Sequence, residues 1–226
     1  MYINTPWKEG RMQEEIDENI MISDKAYNAI MGSVIVYGFA VNIVTVVHLK
    51  YFFMQFNIIK LSVAYVIFAL LGCFISYYSK SALASFIGYN LLVLPAGGIL
   101  SVLLAEYECA DVELAVIVTG IASVMIMIIA TMAPERFINT GGALAIGLVI
   151  GVICVGASTL LGYDSHYYTM GFVILFSFYL AYDFSVAQVY PKTINNAVDS
   201  ALDVWLDVLY LFINIVSMIR NSKDND

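Results

Sequence analysis

The most informative feature of this 226-residue chain is how little charge it carries. Only 12% of its residues are charged, against roughly 25% in an average soluble domain, whereas 61% are hydrophobic. Apolar runs of about 20 residues, long enough to cross a bilayer, occur at 28–47, 58–78, 83–104, 112–132, 141–161 and 167–189. This composition excludes an ordinary soluble fold and predicts an integral membrane protein.

Cysteine and basic residues are also scarce. The cysteines, Cys73, Cys109 and Cys154, form no Cys-x-x-Cys pair, so neither a disulfide framework nor a metal site is predicted. The formal charge of −8 and the absence of a polybasic segment argue against nucleic-acid binding. Motifs of soluble hydrolases, P-loops and dinucleotide-binding folds are missing, so we expect no enzyme activity, catalytic residue or cofactor.

The last apolar segment, residues 198–219, differs from the others because it is acidic. Asp199, Asp203 and Asp207 recur every four residues and therefore share one face of a helix. Each would cost about 2.5 kcal/mol or more if it faced lipid at the membrane centre. We therefore predict a seventh span whose acidic face is shielded by protein.

The apolar runs and the short loops between them predict one domain. Residues 1–26 are a polar, acidic N-terminal tail, 27–219 form a seven-helix transmembrane domain, and 220–226 are a short polar C-terminal tail. With a cytoplasmic N-terminus, the cytoplasmic side holds six of the ten Lys and Arg residues, which favours that orientation. The side of the C-terminus stays open.

Asp183, in the sixth apolar run, lies 24 positions before Asp207. The polar turn 191–196 puts each about twelve residues from Asn195, so a helical hairpin is expected to bring both to a similar depth, where they could meet. Two carboxylates in contact cannot both ionise cheaply, so such a pair shares a proton and titrates as a unit. Ionisable groups inside a membrane usually mark ion or proton pathways. The structural alternative is that these aspartates only bond neighbouring helices.

Two other classes of membrane protein also use intramembrane carboxylates. Aspartyl intramembrane proteases pair a Tyr-Asp with a Gly-x-Gly-Asp and a Pro-Ala-Leu segment. Tyr182 and Asp183 match the first motif, but Asp207 follows Val-Trp-Leu and no Pro-Ala-Leu occurs. A proton-coupled transporter would show inverted repeats with broken helices, which are not visible. Neither class is supported.

Small residues interrupt two spans. Gly147 and Gly151 form a G-x-x-x-G in the fifth, which should let another helix approach closely. Pro95, Gly97 and Gly98 interrupt the third, where irregular backbone requires protein or a water-lined cavity to satisfy freed carbonyls. A kink in the third span is the simpler expectation, and a cavity is the alternative.

The run F-S-F-Y-L-A-Y-D ending at Asp183, followed by D-x-x-L-D-x-L-Y-L-F-I-N from Asp203, resembles the Bax inhibitor-1 family, also called the transmembrane Bax inhibitor motif family. The likeness is firmest over residues 167–219 and closest to bacterial calcium-leak members. It implies an all-α integral membrane protein of seven transmembrane helices, with a central last helix wrapped by the other six. It also implies a bacterial inner membrane as the location.

The same resemblance implies a pH-sensitive passive calcium leak in which Asp183 and Asp207 are the pH sensor and gate. An arginine latches this pair in bacterial relatives, and Lys80 is its best counterpart here. Asp199 and Asp203 are candidates for the ion pathway, because hard carboxylate oxygens suit calcium as a permeant ion. The alternative is a non-conducting membrane protein of the cell-death suppressor or protease-modulator type. The bilayer and calcium ions are the expected partners, and protein partners are unknown.

Overall fold

Seven long helices make up almost all of the computed structural model, which describes residues 21–161 and 166–223. Each is long and apolar enough to cross a membrane. No strand occurs in the described residues, so the predicted all-α, seven-span fold is confirmed. The helices are α1 Asp24–Phe53, α2 Ile58–Tyr78, α3 Ala82–Leu103, α4 Cys109–Met132, α5 Gly141–Leu161, α6 His166–Val189 and α7 Ile194–Lys223.

The first and last helices are longer than the apolar runs that predict them. Each has 30 residues, about 45 Å of helix rise, whereas the hydrocarbon core is about 30 Å thick. Their polar ends therefore extend beyond the core. Helix α1 begins at Asp24, where the Ser23 side chain caps it, and α7 continues to Lys223. The parts of the predicted tails at residues 1–20 and 224–226 lie outside the described residues.

By its internal contacts the chain divides into two compact units. Among the described residues, the first unit comprises 21–108 and Pro191–Trp205, and the second comprises 109–161, 166–190 and 206–223. The first unit therefore holds α1, α2, α3 and the beginning of α7. The second holds α4, α5, α6 and the rest of α7.

In the first unit, α2 and α3 touch through glycine. A Cβ on Gly72 would lie 2.5 Å from the carbonyl oxygen of Gly88, and a Cβ on Gly88 would lie 2.7 Å from that of Gly72. Both distances are well inside van der Waals contact. The two backbones can approach this closely only because neither position carries a side chain.

The proline segment of α3 packs against α1 in the same unit. Helix α3 runs through Pro95 without ending, and Asn42 Nδ2 of α1 donates to the carbonyl oxygen of Val93 at 2.8 Å. Gly97 lies against Thr45, where an added Cβ would come within 3.0 Å of its side chain. Protein groups of α1 therefore pack against the interrupted part of this span.

In the second unit, α6 packs against α4 and α5. A buried cluster joins the end of α6 to the α4–α5 connection and to the start of α5. Its members are Tyr182, Val186, Tyr190, Ile138 and Leu144. The predicted G-x-x-x-G contact is present in modified form. Side chains of α6, not its backbone, lie over the two glycines, with Leu175 above Gly147 and Phe172 above Gly151.

The contact between Gly72 and Gly88 predicts an unusual cost for a small substitution. Gly88→Ala should lower the melting temperature of the protein in detergent, because the added methyl group separates α2 from α3 at a cost of about 1–3 kcal/mol. Gly120→Ala is the matched control, since nothing lies within 4 Å of a Cβ at Gly120. Alanine is the better helix former by about 1 kcal/mol, so the control should be neutral or stabilising. Equal shifts in the two variants would contradict the contact.

Candidate functional site

The first turns of α7 place a carboxylate deep inside the first unit. Asp199 is 1% exposed. One of its oxygens accepts a hydrogen bond from Ser76 Oγ of α2, and the other accepts one from Asn195 Nδ2 at 3.1 Å. Ser85 Oγ of α3 donates to Asn195 Oδ1 at 2.9 Å. Neutral donors from α2 and from α7 itself therefore help to replace the water that this carboxylate loses on burial, and α3 holds the donor on α7 in place.

A second set of polar contacts ties α1 to the same end of α7. The hydroxyl of Tyr27 lies 2.9 Å from Ser200 Oγ and donates to the carbonyl oxygen of Asn196 at 3.3 Å. The ammonium group of Lys192 sits 4.3 Å from the centre of the Tyr27 ring. Burial lowers the pKa of Lys192 from its usual value, and the nearby Asp24 carboxylate opposes that change. The start of α7 is thus held by α1, α2 and α3 together.

Aromatic side chains surround α7 further along in the first unit. Trp205 is fully buried, with its ring 5.8 Å from that of Tyr89 and 6.2 Å from that of Phe39 between centroids. Gly38 leaves room for this group, because a Cβ there would overlap the Tyr89 hydroxyl and the Trp205 indole. The polar cluster around Asp199 is therefore followed along α7 by a tightly packed aromatic layer.

Asp183 and Asp207 both lie in the second unit. Asp207 of α7 is 5% exposed, and Asp183 of α6 is half-buried. Phe176 of α6 stacks on Tyr210 of α7 with centroids 4.9 Å apart. Moving from this stack toward the α6–α7 link, Asp207 comes after three residues and Asp183 after seven, an offset of about 6 Å of helix rise. Both carboxylates are on the link side of the stack, and direct contact between them stays a prediction.

The hairpin that connects these aspartates differs from the sequence prediction. The link occupies residues 190–193, and Asn195 is the second residue of α7 rather than the apex of the turn. Thr193 Oγ1 accepts a hydrogen bond from the backbone N–H of Asn196 at 3.1 Å. This bond caps the first turn of α7, which therefore begins directly after the link. The prediction that Asn195 is the apex of the turn, about twelve residues from each aspartate, is therefore wrong. It does not give the depths of Asp183 and Asp207 in the membrane.

Asp203 and Lys80 complete the set of predicted site residues. Asp203 is half-buried on α7. Lys80 is exposed in the short link between α2 and α3, next to Ser79, whose carbonyl oxygen accepts from Asn195 Nδ2 at 3.3 Å. The structure thus places Lys80 beside the start of α7. Within the described residues, no group of three or more His, Cys, Asp or Glu side chains is arranged to hold a metal ion.

The far end of α7 is fixed by an ion pair in the second unit. Lys223 Nζ in its last turn lies 2.5 Å from a carboxylate oxygen of Asp111, in the first turn of α4. Near the other end of α4, Ala130 accepts a hydrogen bond from Ser185 Oγ of α6 at 3.4 Å. Within the second unit, the last turn of α7 therefore lies beside the first turn of α4.

Several of these polar groups could not be predicted from the sequence. Ser76 and Ser85 are single serines within apolar runs, and their sequence carries no signal that they bind a carboxylate or its partner. Asn195 could have been found, because it lies four residues before Asp199 and thus extends the same face of the helix. Its place in an apparent turn concealed it.

Comparison with known proteins identifies the family of the chain. A search of curated proteins finds no match to the chain. A family model described as "Inhibitor of apoptosis-promoting Bax1" matches residues 20–224, nearly the whole length. The matched range includes all seven helices and every candidate site residue. The chain therefore belongs to the Bax inhibitor-1 family.

Proposed function

We propose that the protein is a passive calcium leak across a membrane, with a pH response set by Asp183 and Asp207. The observation that carries this proposal is the burial of Asp199 and Asp207 on one membrane-crossing helix, at 1% and 5% exposure. Membrane proteins seldom keep carboxylates at such positions unless ions or protons pass them. Carboxylate oxygens are also the ligands that calcium prefers.

The pH response follows from the chemistry of paired carboxylates. If Asp183 and Asp207 come together, they share a proton at low pH and repel one another at high pH. Repulsion between them acts on α6 and α7, the two helices that carry them. The stack of Phe176 on Tyr210 joins the same two helices, so the helices would move relative to each other about this contact. Protonation thus biases the pathway between a closed and an open arrangement.

The proposed orientation has the N-terminus in the cytoplasm of a bacterial cell, with the protein in the inner membrane. The balance of Lys and Arg in the short loops supports this orientation. With seven crossings, the ion pair between Lys223 and Asp111 then lies on the outer face. Asp199 and Lys80 lie toward the cytoplasmic face, because both are close to the beginning of α7.

Reconstitution tests the proposal directly. Liposomes that contain the purified protein and a trapped calcium indicator should take up external calcium several times faster than protein-free liposomes. The physical reason is that carboxylates replace part of the ion's hydration shell within the membrane. Uptake no faster than in empty liposomes, from folded protein at both acidic and alkaline pH, would contradict a leak. That result would favour the non-conducting interaction protein instead.

Lys80 is expected to restrain the closed state through its charge. Lys80→Ala should raise calcium uptake in the same assay, whereas Lys80→Arg should retain the restraint, because a guanidinium keeps the positive charge and can bind a carboxylate in two places. Unchanged uptake in Lys80→Ala, with an unaltered melting temperature, would remove Lys80 from the mechanism.

Asp199 can be tested for conduction separately from stability. Asp199→Asn keeps the shape of the side chain but removes its charge, so calcium uptake per folded protein should fall while its pH midpoint stays in place. Ser76→Ala is the matched control, because it removes one hydrogen bond to Asp199 and keeps the charge. It should mainly lower stability, by about 1.5–3 kcal/mol for a bond to a charged group. If both variants lose only stability, Asp199 is a structural residue.

A further inference from the structure

Helix α4 is built with its polar face inward. Its buried residues are all small or polar: Asp111, Ala115, Thr119, Ser123 and Ala130. Most of its large apolar side chains are exposed, as expected where lipid surrounds the helix. Four of the five buried residues, from Asp111 to Ser123, follow one another at intervals of four, which keeps them in a continuous track along the helix. No large side chain of α4 is among its buried residues.

Two hydroxyl groups on this track are deeply buried and have no hydrogen-bond partner in the structure. Thr119 is 3% exposed and Ser123 is 4% exposed, and the hydroxyl oxygen of each is unpaired. Several other helical hydroxyls of the described residues behave differently. They donate to the carbonyl oxygen four residues earlier at 2.7–2.8 Å, as in Ser33, Ser101, Thr131, Ser158 and Ser177.

The contrast matters because a backbone carbonyl is always within reach of a helical Ser or Thr. A hydroxyl buried inside a membrane without a partner costs at least about 1–3 kcal/mol. Thr119 and Ser123 instead keep unpaired hydroxyl oxygens on the buried face of α4. Oxygen ligands in this position suit water or a hard cation that moves past them.

The surface end of the track, called its mouth below, is acidic and is already paired with the cationic side chain of a lysine. Asp111 lies in the first turn of α4 and is 4% exposed. Its carboxylate pairs with Lys223, whose side chain is 54% exposed. The lysine is therefore held at the surface end of the track by a group that would otherwise attract a permeating cation. It belongs to the last turn of α7, so movement of that helix end would release the carboxylate.

We propose that the Asp111, Thr119 and Ser123 face of α4 is a hydrated cation lane, and that Lys223 caps its mouth. This lane would form the part of the ion path that lies toward the last turn of α7. The identity of the ion rests on the proposed calcium leak, whereas the hydration of the lane does not. The two claims can therefore be tested apart.

Cysteine accessibility tests the lane without measuring flux. In a background lacking Cys73, Cys109 and Cys154, which are all exposed, single variants Thr119→Cys and Ser123→Cys are treated with a membrane-impermeant, cationic methanethiosulfonate. Val118→Cys and Val124→Cys are the matched controls, because each is one residue away at nearly the same depth and faces outward. Only a hydrated thiol ionises and reacts, so the lane positions should react at least about tenfold faster than the controls.

The cap is tested by repeating the experiment with Lys223→Met and with Lys223→Arg. Loss of the charge should speed the reaction at Thr119→Cys several-fold, and arginine should keep it slow. If neither lane cysteine reacts faster than its control even with Lys223→Met, the lane is wrong. If the reaction is fast but independent of residue 223, the lane stands and the cap is wrong. Reactive cysteines in a protein that passes no calcium would leave the lane intact and overturn the calcium leak instead.

Discussion

The constraint on which the rest of this structure depends is the cost of holding a carboxylate inside a membrane. Asp199 is almost fully buried on a helix that crosses the bilayer, where lipid can provide no hydrogen bond. Ser76 and Asn195 supply donors to its two oxygens, and Ser85 in turn fixes Asn195. These contacts require α7 to lie against α2 and α3 rather than against lipid. The placement of the last helix is therefore a consequence of its charges.

Both ends of α7 are held by polar contacts, while its middle is held by packing. The first turns bind α1, α2 and α3 through hydrogen bonds, and the last turn is held through the ion pair of Lys223 with Asp111. Between them lie Trp205 in the first unit and the stack on Tyr210 in the second. The packed aromatic rings resist sliding of the helix, whereas hydrogen bonds and ion pairs exchange readily with water or protons. Such a helix can respond to pH at its polar positions without losing its place.

Much of the fold could be predicted from the sequence because the membrane imposes a simple rule on it. Apolar runs of bilayer length gave all seven helices, and the four-residue spacing of the α7 aspartates indicated a shielded face, which the burial of Asp199 and Asp207 confirms. The contact of Gly72 with Gly88 was missed, because single glycines on different helices carry no joint pattern. The pairing of Asp111 could not be predicted either, because its partner Lys223 is more than a hundred residues away. Partners that are distant in sequence are set by tertiary packing, which periodicity cannot reveal.

The central claim is that carboxylates inside this protein carry and sense ions and do not merely join helices. The most direct measurement is calcium flux in proteoliposomes as a function of pH, compared among the natural protein, Asp183→Asn and Asp207→Asn. Each amide keeps the shape of the carboxylate and cannot exchange the shared proton. The account predicts a clear pH dependence around neutrality in the natural protein and its loss in either variant, even where calcium still passes. A flux curve of unchanged shape and midpoint in both variants would contradict it and leave Asp183 and Asp207 as structural hydrogen-bonding groups.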